Sequence, residues 1–392
     1  MVLDSNTQSN RRSFIKRAGV GVSALAVAGC QGDGGDGGGD GGSTETTDGG
    51  DETDGTATST EELEQVNMIF GPGGFTGIIY DQMINKTNRL ENRMNDAGYT
   101  VKAQESWEGA ALFAAGGPDF SDIAGLEAAT LANERELELV TFGKTIANFV
   151  GWITRTGSAY DPDESGSVQA SVENIASDGK VAIGSWGGGD IPAEKVMMKD
   201  QYDLSFDEDS GDFEVVTADY FALPGLVVDG EVATVSTAPQ YGAAQYFVGD
   251  DPALKGIFWN ADMLDEMGYG PRPINGWTTT QQFRDENTGA VKALIGAWEE
   301  TVADFLSQPY EYATQEPYME AITAQNEKQA EFLVEFCIEN KHSFNSPLMY
   351  ETVSLSEEDI QQETDYINRA AELGQVPSGW DEYLELASVD ST

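Results

Sequence analysis

The sequence predicts an α/β protein of two lobes on mainly parallel sheets, closed by a helical C-terminal part. Three observations carry that expectation. From residue 66 short apolar strands alternate with stretches of helical periodicity, the pattern of βαβ units. The alternation pauses at the polar stretch TGSAYDPDESGS (156–167) and then starts again, which makes two sets. Beyond about residue 255 long helical segments dominate. Residues 65–392 number 328, enough for two lobes of ordinary domain size.

The elements follow in order. VNMIF (66–70) is a strand and GPGGFT a turn; residues 77–97 then place Ile78, Ile79, Met83, Ile84, Leu90 and Met94 near helical spacing. YTVKAQ (99–104) is a strand, GAALFAAGG a short helix, FSDIAG (120–125) a strand and LEAATLANER a helix. LELVTF and ANFVGWITR supply two more strands. In the second set KVAIGS (180–185) is a strand, WGGGD a loop and IPAEKVMMKD a helix. FEVVTA and VATVST are further strands, and PQYGAAQYF starts a helix at Pro239. IFWN (257–260) reads as a return to the first sheet, before helical segments around 289–307, 317–340 and 356–373.

The first 64 residues are of another kind. Residues 1–29 have the layout of an export signal: bases, a short apolar run from Ala18 to Ala28, then small residues. That run is far shorter than the roughly 20 residues of a membrane-spanning helix. Arg11-Arg12 followed by Ser-Phe-Ile-Lys resembles the twin-arginine signal of proteins exported already folded. AVAGC resembles a lipoprotein box with Cys30 as the acylated residue. The Gly/Asp/Ser/Thr tract of 30–64 lacks the apolar residues to fold and reads as a solvated tether.

Charge excludes several functions. The chain carries 68 acids, 21 bases and a net charge of −47; residues 65–392 alone hold 56 acids against 17 bases. With 40% of the chain apolar, this is an acidic folded body rather than disorder. Such a surface suits molar salt, where charges are screened within about 3 Å. No basic patch offers itself to nucleic acid. Cys337, in AEFLVEFCIEN, reads as a buried structural thiol, and the single histidine, His342, as a capping or surface residue. One histidine builds neither a zinc site nor a histidine-based triad, so no metal, cofactor or catalytic residue is expected. The acids from Asp161 begin like a calcium loop, but Val172 stands at the twelfth position and Glu173 falls one late, so the stretch reads as a solvated loop. Asn85 in NKT is a lone sequon inside a helix.

The positive signal is four turns that follow strands and precede helices: FGPGGFTG, SWEGAA, SWGGGD and STAPQY. In open α/β sheets ligands lie outside the carboxyl ends of the strands, where helix N-termini present free N–H groups. The candidate binding residues are therefore Gly73, Gly74, Phe75 and Thr76; Ser106, Trp107, Glu108 and Gly109; Trp186, Gly187, Gly188, Gly189 and Asp190; and Ser236, Thr237 and Tyr241. The Gly187–Gly189 loop is expected to favour an anionic group, with Asp190 either capping the helix or meeting a cationic one.

SWEGAALFAAGGPDFSDIAG, DGKVAIGSWGGGD and VVDGEVATVSTAPQYGAA resemble ABC-transporter solute-binding proteins of the nitrate/sulfonate/taurine and pyrimidine-precursor type, over about residues 66–250. The chain departs from that pattern at Val232-Ala233, at Pro-Gln-Tyr and at the shortened Asp178-Gly179-Lys180. The resemblance implies a type II periplasmic-binding-protein-like fold with two chain crossings, lobe 1 at 65–155 plus 251–392 and lobe 2 at 156–250. It also implies a lipid-anchored, monomeric receptor on the outer face of the cell membrane. That receptor would pass a small organic acid or zwitterion to an ABC permease and its ATPase. An anchored enzyme of the same fold, or a sensor or adhesion protein, stays open at this point.

Overall fold

The computed structural model describes residues 63–71, 73–106, 108–341 and 345–389. Arg11, Arg12, Cys30, Trp107 and His342 lie outside the described residues. Among the described residues no helix is long and apolar enough to cross a membrane.

Among the described residues eleven strands form two sheets. They are β1 (Glu64–Phe70), β2 (Tyr99–Glu105), β3 (Phe120–Asp122), β4 (Leu139–Ala147), β5 (Gly151–Arg155), β6 (Lys180–Ile183), β7 (Glu214–Thr217), β8 (Thr234–Thr237), β9 (Leu254–Trp259), β10 (Pro273–Thr280) and β11 (Leu384–Leu386). The first sheet has the order β11-β4-β10-β3-β1-β2 and the second β7-β6-β8-β5-β9. In each sheet one strand runs against the rest: β10 is antiparallel to β3 and β4, and β5 is antiparallel to β8 and β9. Each is the first strand after the chain changes sheet. A chain leaving the carboxyl end of one sheet meets the carboxyl end of the other and must enter it backwards.

The second sheet is wider than residues 156–250. Both β5 and β9 belong to it, so IFWN does not return to the first sheet and the lobe boundaries of the sequence reading are corrected outward. The crossings are residues 148–150 and the stretch from Asn260 to Arg272. They run side by side. Asn148 N–H donates to Arg272 O at 2.8 Å, Asn260 N–H to Val150 O at 2.8 Å, and Ala261 N–H to Asn148 O at 2.9 Å. The uninterrupted apolar run hid the first crossing, because a strand buried on both faces shows no period that ends where the sheet ends.

Local chemistry breaks three expected helices. The 77–97 segment divides into Gly74–Asp81 and Arg89–Asp96, with a widened turn at Gln82–Lys86 and Asn88 in the left-handed region at φ 52°. The 317–340 segment divides into Glu316–Ala321 and Glu327–Cys337: Thr323 turns at φ 56°, and Asn326 caps the second helix by accepting from Gln329 N–H at 3.1 Å. After Pro239 the chain is irregular at Tyr241 and Gly242 before the short helix Ala244–Phe247.

Two apolar cores hold the sheets. Beneath the first sheet, Phe75 meets Phe305 at 5.9 Å, and Tyr80 packs on Trp277 and Trp298. Beneath the second, Trp152 packs on Phe206, Phe213 and Phe258. Full burial of each large side chain contributes on the order of 1.5–3 kcal/mol. Cys337 is a free, buried thiol whose pKa burial pushes far up, as suits a structural residue. Asp161 caps its own loop, accepting from Gly157 and Asp163 N–H and pairing with Lys255, which accounts for the calcium-like acids.

Candidate functional site

A cavity of about 270 Å³ lies where the carboxyl ends of the two sheets face each other. This is slightly below the roughly 300–1,000 Å³ of drug-sized pockets, so it suits a small solute. From the first lobe come Ala110, Leu126 and Ile274; from the second come Trp186 and Gly187–Gly189 of the loop after β6. The crossings contribute Asn148 and Arg272, and the C-terminal helix Glu357–Glu372 contributes Glu363 and Tyr366. A larger recess of about 620 Å³ lies among the C-terminal helices, between Leu306–Glu311 and Leu348–Met349. No strand residue lines it and it does not lie between the lobes, so the interlobe cavity is the candidate site.

The Trp186–Gly189 turn reaches the cavity because three glycines carry no side chain to block it. A Cβ on Gly189 would sit 3.5 Å from Ile274 of the opposite sheet, and one on Gly187 would project into open space with only Ser185 Oγ at 3.9 Å. Trp186 is half-buried against Phe206 at 5.4 Å. The anion-favouring character expected of this loop is reduced by the residues that follow. Gly188 and Ile191 spend their N–H groups on Ser185 O and Gly188 O, Pro192 has none, and Asp190 Oδ1 lies 2.5 Å from where a Gly188 Cβ would be.

Asp190 is turned inward. Ser236 Oγ lies 2.9 Å from Asp190 Oδ2 and 2.5 Å from Glu194 Oε1, with all three residues buried. A hydroxyl has one proton to give, so it serves one carboxylate and must accept from the other. One member of the pair is therefore protonated. Glu194 is that member: burial, and then the charge of Asp190, push it up to about 8. Burial raises Asp190 as well, opposed by the Ser236 bond. In the first sheet Asp122 ends β3, where burial pushes it up to about 7 against bonds from Tyr80 at 2.7 Å and Thr145 at 3.3 Å.

The predicted turns do not all converge. Gly73 and Gly74 adopt φ of 89° and 62°, which glycine permits, and bring Phe75 N–H to Gln240 Oε1 at 3.2 Å across the lobes. Phe75 itself is core, and Thr76 donates to Gly73 O. Ser106 Oγ accepts from Glu108 N–H, Glu108 is exposed, and Gly109 leaves room for Ser121 Oγ at 3.6 Å. Ser236 and Thr237 are buried in lobe 2, and Tyr241 packs with Phe149, Tyr220 and Phe221. None of these lines the cavity; only Trp186 and Gly187–Gly189 do. Sequence reasoning missed Asn148, Arg272, Glu127 and Glu363. Arg272 donates to Glu363 Oε2 at 3.0 Å and Gln362 Oε1 at 2.7 Å. Glu363 fits against the first turn of the Gly125–Arg135 helix because residue 125 is glycine: a Cβ there would lie 2.5 Å from Glu363 Oε1.

No protein-family profile and no curated protein matches the sequence. Solved structures do match. The periplasmic aliphatic sulphonate binding protein of Escherichia coli superposes with a TM-score of 0.59 at 12% identity, over 81% of this chain and 94% of that one. The alkanesulfonate-binding protein of Xanthomonas axonopodis pv. citri, bound to MOPS, gives 0.57 at 12% identity, over 83% and 99%. The periplasmic nitrate-binding protein of Synechocystis PCC 6803 gives 0.51 at 12% identity, over 83% and 86%. The fold is periplasmic-binding-protein-like. In this periplasmic-binding-protein-like fold the lobes stand close together. Arg369 of the C-terminal helix forks onto Asp200 of the Ile191–Tyr202 helix with two contacts of 3.0 Å.

Proposed function

We propose that the protein is the extracytoplasmic solute-binding component of an ABC importer, tethered to the membrane through Cys30. It traps a small organic acid or zwitterion between its lobes and passes it to a permease. The observation that carries this reading is the cavity at the facing strand ends, walled by both sheets and by both crossings. Closure of two lobes around such a cavity excludes water and surrounds the solute. The acid-rich body suits work in molar salt.

Gly187→Val tests the site. Gly187 lines the cavity and a Cβ there would meet only Ser185 Oγ within 4 Å, so calorimetry in molar KCl should show at least about a hundredfold loss of solute affinity, with an unchanged melting temperature. Retained affinity would move the site elsewhere. Gly187 is the better probe than Gly188, where a side chain strikes Asp190 and disturbs the fold as well.

Anchoring is tested separately. Cys30→Ser should release protein to the medium, and Arg11→Lys with Arg12→Lys should block export. A serine variant still membrane-bound after a salt wash overturns the lipid anchor.

A further inference from the structure

Which solute the cavity accepts follows from the charges on its wall. Glu127, Thr130 and Glu134 stand on one face of the Gly125–Arg135 helix, spaced three and four apart, and all three line the cavity. The wall also holds the cation Arg272, whose Nη1 donates to Glu363 Oε2 and to Asp359 O and whose Nη2 donates to Gln362 Oε1, leaving only the buried Nε–H without a partner among the described residues. Arg272 is neutralised within its own surroundings by Glu363. Glu127 and Glu134 have no ion-pair partner among the described residues.

A second, independent group points into the same space. Asn148 is only 3% exposed and lies on the cavity wall. Its Oδ1 accepts from Asn260 Nδ2 at 3.4 Å, whereas its Nδ2 has no hydrogen-bond partner among the described residues. A buried amide donor left open in a cavity matches an acceptor on whatever fills it.

We propose that the cleft selects solutes bearing an ammonium group, held by Glu127 with Glu134 two turns further along the same helix face, and that Asn148 Nδ2 donates to an oxygen at the solute's other end. This rests on the cavity being the solute site, and it excludes a bare anion as the preferred ligand. In molar salt the body's net charge is screened beyond about 3 Å, so the contacts inside the cleft decide the sign. Those contacts include two unpaired carboxylates, the neutral amides of Asn148 and Gln375, and a guanidinium already paired with Glu363. Burial pushes Glu127 up to about 7 although the residue is exposed at the cavity wall, and an ammonium partner there would restore its charge.

The experiment is calorimetry in 2 M KCl with matched probes: β-alanine against propionate, 2-aminoethanesulfonate against ethanesulfonate, putrescine, and nitrate. At least one amine should bind about a hundredfold more tightly than its counterpart without the amine. Glu127→Gln should weaken that amine at least about tenfold while leaving the melting temperature unchanged. Asn148→Asp should weaken any zwitterion that binds but spare putrescine. Nitrate or ethanesulfonate binding as well as the amines, or an unaltered Glu127→Gln variant, overturns the ammonium proposal and leaves the cavity as the solute site. If the wild-type protein binds none of the probes, this inference fails; if Gly187→Val also leaves every measurable affinity intact, the site itself fails.

Discussion

Gly151→Ala should be among the most damaging single-methyl additions to the chain. Gly151 opens β5 opposite Trp259 of β9, and a Cβ there would lie 2.2 Å from Phe258 O and 2.5 Å from the Trp259 ring. The obstacle is partner backbone, which has no rotamer to change, so the two strands must part. We expect a loss of about 3 kcal/mol or more in urea unfolding. Gly77→Ala is the control: no atom stands within 4 Å of that Cβ, the site is helical, and the change should be neutral or stabilising by up to about 1 kcal/mol. A Gly151→Ala protein as stable as wild type would show that β5 and β9 are not paired in this register.

The second large effect is on pH. Glu194 is pushed up to about 8 in the folded protein, against an ordinary value of about 4.3 in an unfolded chain. The folded state therefore holds a proton that the unfolded state releases. Stability from this group is complete below about pH 4 and declines as pH rises towards 8, where the folded carboxyl at last ionises. The loss across that window is on the order of 5 kcal/mol. Asp122, pushed up to about 7, adds a decline of the same sign. Glu194→Gln supplies a permanent neutral donor. It should match wild type near pH 5, exceed it near pH 8, and flatten the slope of unfolding free energy against pH. A variant with the wild-type slope would show that Glu194 is ionised throughout.

The sequence reading succeeded where local chemistry alone decides. KVAIGS, FEVVTA and VATVST are strands because short β-branched runs bounded by glycine or polar residues have few alternatives. IPAEKVMMKD is a helix with proline in its first turn. The crossings were not legible. Residues 148–150 lie inside an apolar run that is buried on both sides, and nothing local marks where one sheet hands the chain to the other. The site was half legible for a related reason. Gly187–Gly189 announce themselves by composition, but Asn148, Arg272 and Glu363 become neighbours only through the crossings and the C-terminal helix. Glu127 was hidden by abundance, since one acid among 68 carries no signal until its lack of a partner is seen.

The reversed strand of the first sheet also governs when the protein can fold. β10 lies between β3 and β4, yet more than 120 residues separate it in sequence from either, and β11 at the far edge ends at Leu386 of 392. A nascent chain emerging at about 5–20 residues per second holds β1 to β4 as two unpaired strand groups with a gap between them until Thr280 appears. Both flanking strands present open edges through that interval, when pairing with another chain competes with waiting. The second lobe is continuous from β5 to β9 and can assemble while the first is still missing its middle. The sheet of the middle lobe can thus be completed before that of the outer lobe. A ribosome stalled before residue 273 leaves a chain with one finished sheet and one open one.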